Sequence, residues 1–419
     1  MSRADSDIGR PPDADRVSDG PRIVFVGHDA SRTGAPVSLL RLLQWIRSDT
    51  SACPSLILLR GGPLETAYSQ LCDTKVVKMP AMGEWVRKAR MLAPPWDGDT
   101  TALRAVFAAQ QARIRSLVRH ADVVVVNTVA ASTAVLALEN VAVPVVLHVH
   151  EMGVGIGFHA RQLAREARMD PERLLRRALD RADVIAVPSA ATARDLGLWD
   201  EPAARRAEIV GGLISADELA PALGRSRQDA RRLLGIDTDR PLVVGSGSID
   251  WRKGPELFVQ VAAMVNRVRD VKFLWVGPGQ EERCQEMRAD VRRCGLEDSV
   301  DIVPGAYPPF DYYRAADAFL LTSHEEPLGF VALEAAALGT PVVAFRSSGV
   351  SELMGTGSSM VVDHLDTPAM ASAVLDVLTH GGVPPGDPYD LDRRVRSQMS
   401  PVNAQTLYRV IAQAKRRRG

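Results

Sequence analysis

Ten short apolar runs rich in Val, Ile and Leu, each followed by a stretch of helical spacing, constrain most strongly what this chain can fold into. RIVFVG (22–27), SLILLR (55–60), VVVVN (123–127), VVLHVH (145–150) and VIAVPS (184–189) form a first set. PLVVGSGS (241–248), VKFLWVG (271–277), VDIVPG (300–305), AFLLTS (318–323) and PVVAFR (341–346) form a second. Runs that are continuously apolar, rather than alternating, predict parallel strands covered by helices on both faces. The 30 residues at 211–240, carrying GGLISADELAPALGRS and then TDRP, read as a linker with a helix over 226–235. A chain of 419 residues suits two domains. The expected architecture is two doubly wound α/β domains, at 21–215 and 216–399. A helix with a basic end, AKRRRG, closes the chain over 400–419 and reads as a solvated helix terminus.

Composition enters as a filter on function. Lys plus Arg and Asp plus Glu both total 51, a formal net charge of zero, so no bulk field calls for nucleic acid or an anionic membrane. The polar stretch 1–20 has no apolar core and reads as a disordered leader rather than a signal peptide. No uninterrupted apolar run approaches the roughly 18 residues of a membrane span. The cysteines (Cys53, Cys72, Cys284, Cys294) show neither CxxC nor zinc spacing. Reduced thiols in a cytoplasmic protein are the expectation.

In open α/β sheets ligands bind beyond the carboxyl ends of the strands, so the strand-to-helix turns are where chemistry should lie. After the first run, GHDASRTGAPVSLL places Gly34 before Pro36 at a helix start, where exposed amides attract an anion such as phosphate. VVLHVHE sets His150 at a strand end, with His148 on the same face one pleat earlier. GSGSIDWRKG carries Gly247, Ser248, Arg252 and Lys253 ahead of Gly254 and a helix. Paired cations there suit a diphosphate, Arg as a planar fork and Lys as a point charge. Gly305 ends a run at a cleft edge, where backbone groups can meet a flat base.

The densest stretch is HEEPLGFVALEAAALGTPVV, 324–343. A helix starting near Leu328 would leave the amides of Leu328, Gly329, Phe330 and Val331 as unpaired donors, with the positive dipole end behind them. Glu326 precedes those amides and Glu334 follows them in an apolar setting. Anion donors with a hydroxyl-accepting carboxylate on each flank match a nucleoside diphosphate sugar: diphosphate in the middle, ribose diol on one side, sugar hydroxyls on the other.

EPLGFVALEAAALGTPVVAF resembles the E-x7-E signature of retaining glycosyltransferases of family 4, enzymes of GT-B architecture, in which two Rossmann-like domains face a central cleft. TGAP, WRKG, VGPG and AADAFLLTSHEE follow in family order, so the resemblance covers roughly 22–380. It implies an acceptor-binding N-terminal domain and a nucleotide-sugar-binding C-terminal one. Glu334 would bind the ribose, and Glu326 would face the donor sugar. Lys253 with the amides of Gly329, Phe330 and Val331 would hold the diphosphate. Gly34 would lie in a loop over the phosphates, and His150 near the anomeric carbon and the acceptor. The arginine that many members carry five residues before the lysine is Ser248 here, so Arg252 becomes the candidate second cation.

The expected reaction is transfer of a sugar from a UDP- or GDP-linked donor, with retention and no cofactor or metal: cations and helix amides take a metal's place. Leu328 and Gly247 complete the expected donor site. The acceptor is read as a small soluble molecule, such as a secondary-metabolite intermediate, or an oligosaccharide. Its pocket is expected to involve loops 80–100, with Met82, Trp85 and Trp96, and 151–170. A lipid-linked glycan acceptor, a nucleotide-sugar epimerase, a phosphorylase and a non-catalytic sugar-nucleotide-binding protein are the alternatives. Neither nucleic acid nor membrane is an expected partner.

Overall fold

The computed structural model describes residues 20–77, 98–167, 170–236, 239–346, 349–354, 361–380 and 401–418. The leader, but for Gly20, and the loop with Met82, Trp85 and Trp96 lie outside the described residues.

Two parallel sheets form the frame. The first has seven strands: β1 (Arg22–Gly27), β2 (Cys53–Leu58), β3 (Asp73–Val76), β4 (Val123–Asn127), β5 (Val145–His148), β6 (Val184–Val187) and β7 (Ala207–Ile209), in spatial order β3-β2-β1-β4-β5-β6-β7. The second has six: β8 (Leu242–Ser246), β9 (Lys272–Val276), β10 (Val300–Val303), β11 (Ala318–Leu321), β12 (Val342–Phe345) and β13 (Val361–Val362), in order β10-β9-β8-β11-β12-β13. The ten apolar runs all become strands, most of them a residue or two shorter than read. The additional three, β3, β7 and β13, are short strands at the sheet edges, where pairing on one side suffices. The strand order, not the strand direction, reverses between β1 and β4 in one sheet and between β8 and β11 in the other. These two switch points open onto the same cleft.

Helices cover the sheets for the reason the apolar runs imply. Helix Gly34–Asp49 lays Leu39, Leu43 and Ile46 on the first sheet beside Phe25 and Val125, each burial worth about 1.5–3 kcal/mol. Helix Pro255–Asn266 does the same on the second, with Phe258 edge-on to Phe273 and Trp275. The interval 211–240 holds two short helices, Ala216–Leu223 and Arg227–Leu233, whose Leu219, Ala222 and Ala230 pack into the second domain.

The last helix, Val402–Arg418, returns to the first domain. Ala404, Leu407, Val410, Ile411 and Ala414 join the core over β4, β5 and β6, and only its far face is polar. Among the described residues no helix is long and apolar enough to cross a membrane.

Candidate active site

A cavity lies between the two sheets' carboxyl ends, walled by residues that follow β1, β4, β5, β8 and β9 and by the turn from Glu326 after β11. On the first domain's wall the chain after β4 is strained: Thr128 sits at φ 102° with 1% of its surface exposed, a conformation costing about 1–3 kcal/mol. Its hydroxyl donates to the carboxylate of Glu151, and that carboxylate also accepts from the amides of Val129 at 3.1 Å and His150 at 3.0 Å. Burial pushes the Glu151 carboxyl up, but nearby His159, the Thr128 hydroxyl and the His150 ring more than offset it, so the group titrates below its ordinary value. His150 lies against His148, ring centroids 3.9 Å apart, and its Nε2 is 2.9 Å from Oδ1 of Asn127. Burial, then His148, hold the His150 ring well below the ordinary histidine value.

On the second domain's wall, Lys253 and Glu326 form a buried ion pair, and Ser323 Oγ donates to the same Glu326 oxygen at 3.2 Å. Burial raises the Glu326 carboxyl, but Lys253, Arg252 and these hydrogen bonds pull it below the usual range, so it is ionised at neutral pH. Two loops are locked together to make this pair. The carbonyl of Arg252 accepts from the amides of His324 at 2.9 Å and Glu325 at 3.3 Å, and Thr322 Oγ1 donates to the carbonyl of Gly254 at 2.9 Å. His324 stacks on Trp251 at 4.5 Å and its Nε2 meets Glu256 at 2.6 Å.

Several contacts cross from one wall to the other. Arg41, on helix Gly34–Asp49, donates from Nη2 to Glu334 Oε1 at 2.7 Å and to Glu218 Oε2 at 2.7 Å. Burial works against the charge on Arg41, yet the two carboxylates raise its pKa. Glu334 is pushed up by burial, with Arg41 pulling against it and Glu218 adding to the rise. Glu325 accepts from the amides of Val154 at 2.6 Å and Gly155 at 3.1 Å, at the start of helix Gly153–Ala167. Ser189 Oγ donates to the Pro327 carbonyl at 2.5 Å, and the Arg32 guanidinium lies 4.6 Å over the Tyr307 ring.

The cavity gathers Gly34, His150, Gly247, Ser248, Arg252, Lys253, Glu326, Leu328, Phe330, Val331 and Glu334 of the residues singled out from sequence. Gly305 and Gly329 are not among its lining residues. Gly305, at φ 78°, turns the chain so that Ala306 and Tyr307 face the cavity instead. Gly329, at φ 83°, is the N-cap of helix Phe330–Ala337, two residues later than the expected start at Leu328. A Cβ there would stand 3.0 Å from Val350 Cβ and 3.4 Å from Glu326 Cγ, so the glycine serves the left-handed turn and not clearance for a ligand. Ser248 donates its hydroxyl to Asp250, while Arg252 lines the cavity as the remaining cation of the turn. Tyr313 is fully buried yet reaches the cavity floor, where its hydroxyl donates to Ser246 Oγ at 2.8 Å.

Arg41, Asn127, Glu151 and Glu325 were not singled out from sequence. The available signal for Arg41 is a lone charge inside SLLRLL; Glu325 is masked by its neighbour Glu326. Among the described residues no group of three or more His, Cys, Asp or Glu side chains is placed to hold a metal ion.

Residues 65–211 match the family described as Glycosyltransferase Family 4, and residues 240–380 the family described as Glycosyl transferases group 1. The D-inositol 3-phosphate glycosyltransferase of Corynebacterium urealyticum is 32% identical over 213 residues, covering 48% of this chain and 50% of that protein. Its counterpart in Xylanimonas cellulosilytica is 32% identical over 171 residues, 39% of this chain and 40% of that one. The chain spans about half the length of the curated relatives it matches. Among solved structures, Anabaena HepE in complex with UDP and glucose aligns at a TM-score of 0.70 with 16% identity, over 94% of this chain and 100% of that one. Sucrose-phosphate synthase from Thermosynechococcus elongatus aligns at 0.68 with 19% identity, over 94% and 98%. Likeness at such identities is one of fold, and the fold is GT-B: two Rossmann-like domains facing a cleft.

Proposed function

We propose, since the chain belongs to glycosyltransferase family 4, that it transfers a sugar from a UDP- or GDP-linked donor to a hydroxyl-bearing small molecule or oligosaccharide, with retention at the anomeric carbon. One arrangement carries this reading. Two buried carboxylates, Glu326 and Glu334, lie before and after the first-turn amides of helix Phe330–Ala337, with Lys253 and Arg252 lining the same cavity. First-turn amides have no intrahelical partner and carry the positive dipole end, which suits a diphosphate.

In this reading the free oxygen of Glu334 accepts from the ribose diol, and the base lies by Ala306 and Tyr307. The diphosphate rests on the amides of Phe330 and Val331 between Lys253, Arg252 and the Gly34 turn. Glu326 faces the donor sugar and His150 the reacting carbon. The bond from the anomeric carbon to the β-phosphate oxygen breaks, its electron pair leaving with the phosphate. The acceptor oxygen bonds to the same face of the carbon, and its proton passes to the departing phosphate oxygen. Charge grows on that phosphate in the transition state, where fixed cations and amides stabilise it most. Neither glutamate acts as a nucleophile, and no metal is called on. Closure of the two walls excludes water from the reactive sugar.

The test is thermal stabilisation by UDP, GDP, dTDP and ADP in EDTA, on the wild type and on Glu334→Gln. That variant keeps the fold because Arg41 retains Glu218. One nucleotide should stabilise by about 2.7 kcal/mol at a hundredfold excess over Kd, and the variant should abolish the gain. Stabilisation by none, by a metal-loaded nucleotide only, or equally in the variant overturns the site. NMR of the product's anomeric coupling then decides retention.

A further inference from the structure

Asn127 ends β4, is 3% exposed, and makes two hydrogen bonds that together decide a proton's position. Its amide nitrogen donates to the Ala35 carbonyl at 3.1 Å, and a carbonyl can only accept. The amide orientation is thereby set, and Oδ1 is the atom 2.9 Å from His150 Nε2. Oδ1 is also only an acceptor, so Nε2 must be the donor. In a neutral imidazole the other nitrogen is then bare.

We infer that Asn127 is a positioning residue that fixes His150 as its Nε2–H tautomer and so presents Nδ1 to the cavity as an acceptor for a hydroxyl of the sugar substrate. The inference rests on the proposed placement of His150 beside the reacting carbon.

The surroundings keep the ring neutral. His148 on β5 lies against it, ring centroids 3.9 Å apart and tilted by 47°, and His28, which follows β1, lines the same wall. Both burden a second positive charge, and the desolvated site disfavours the first. Glu151 alone pulls the other way, and its oxygens are occupied by Thr128, Val129 and the His150 amide itself. An imidazolium would lose the Nδ1 lone pair and with it the acceptor. Ala35 belongs to the turn that carries Gly34, so the same side-chain amide ties the proposed phosphate loop to the histidine's tautomer. A shift of that loop would release the amide and let the ring exchange tautomers.

Two measurements test this, and the first needs no turnover. Long-range 1H–15N correlation of the histidine side chains at pH 7, with the His150→Gln variant as the assignment, should show His150 protonated on Nε2 and bare on Nδ1. In Asn127→Ala it should show a mixture. A wild-type ring protonated on Nδ1, or an unaltered pattern in Asn127→Ala, overturns the inference whatever the enzyme does. The second is the pH profile of UDP release from UDP-glucose, or of GDP release from GDP-mannose, whichever nucleotide stabilises the protein. Asn127→Asp keeps the acceptor oxygen but adds a charge, which should raise the His150 pKa and move the acid limb of kcat/KM up by about 1–3 pH units. This variant also loses the donor to the Ala35 carbonyl, so only the pH dependence, and not donor affinity, is read from it; activity should recover as pH rises. An acid limb that stays in place in Asn127→Asp overturns the inference. Nucleotide stabilisation that fails in the wild type, with the tautomer as stated, counts against the functional reading and leaves the positioning role standing.

Discussion

Arg41 and Glu334 are 293 residues apart in the chain and meet across the cleft, guanidinium Nη2 to carboxylate Oε1 at 2.7 Å, both side chains less than a tenth exposed. Glu218, on the crossover between the domains, shares the same nitrogen. One cation thus serves two carboxylates, one in the crossover helix and one in the proposed ribose site. Removing it leaves the buried Glu334 and the partly exposed Glu218 side by side with no counter-charge. Arg41→Met should lower stability by about 3–5 kcal/mol at pH 7 in urea unfolding. Adding Glu334→Gln should restore part of that loss, because one uncompensated charge is gone, so the two changes should be strongly non-additive. Additive losses would show that the pair does not act as a unit.

His148 is a buried base whose Nε2 has no hydrogen-bond partner among the described residues, and burial lowers its pKa to about 4. The unfolded chain takes up this proton near pH 6.5, whereas the folded protein resists until about 4. Between those values the unfolded state binds more protons, so stability must fall as pH falls. The slope is at most about 1.4 kcal/mol per pH unit for this group, and His150 acts in the same direction. His148→Leu removes the sealed nitrogen along with the titration. It should be close to wild type at pH 7.5 and more stable than wild type at pH 5, read as Tm in matched buffers. Parallel Tm curves for the two proteins across that range would contradict the assignment.

The fold was legible where burial is two-sided. VVVVN, VVLH and AFLL are apolar at every position because helices cover both faces of a central strand. DTKV and AEI are edge strands with one open ladder, and nothing in their composition separates them from loop. Glu334 was legible as a buried acid because its neighbours are apolar. Its partner was not, since an ion pair across 293 residues has no local signature. Helical spacing after residue 400 predicts a helix, but which sheet it covers is a long-range matter. The apolar side of Val402–Arg418 completes the first domain, while Lys415 and Arg416 at its basic end are exposed.

Glu325 takes the place of a helix cap supplied from the opposite domain. Its two oxygens receive the amides of Val154 and Gly155, at the positive end of a 15-residue helix that also brings Gly155 and His159 to the cavity. Charge-assisted hydrogen bonds of this type contribute about 1.5–3 kcal/mol each. Here they hold one domain to the other rather than within itself. Glu325→Ala should therefore raise the radius of gyration in solution scattering and speed tryptic cleavage, with Glu325→Gln between it and wild type. Each domain's own unfolding should be little changed. A scattering curve identical to wild type in Glu325→Ala would mean that the contact does not hold the cleft.

The crossover at Gly211–Gly212 is pinned from both sides. Asn403, at the start of the last helix, donates to the Gly212 carbonyl at 2.6 Å, and a Cβ on Gly212 would stand 2.2 Å from Leu328 and 2.6 Å from Phe330, both in the cavity wall. Ile411, further along that helix, is 1% exposed in the first domain's core and remote from the cavity. The two positions should separate stability from binding. Ile411→Ala should cost about 2–5 kcal/mol as a buried cavity and leave nucleotide affinity intact. Gly212→Ala must push Leu328 and Phe330 aside, an overpacking cost of about 1–3 kcal/mol, and should weaken nucleotide binding as the first-turn amides of helix Phe330–Ala337 shift with them. Calorimetric titration with the nucleotide that stabilises the wild type reads the second effect. Unaltered affinity in Gly212→Ala would show that the amides of Phe330 and Val331 do not hold the diphosphate.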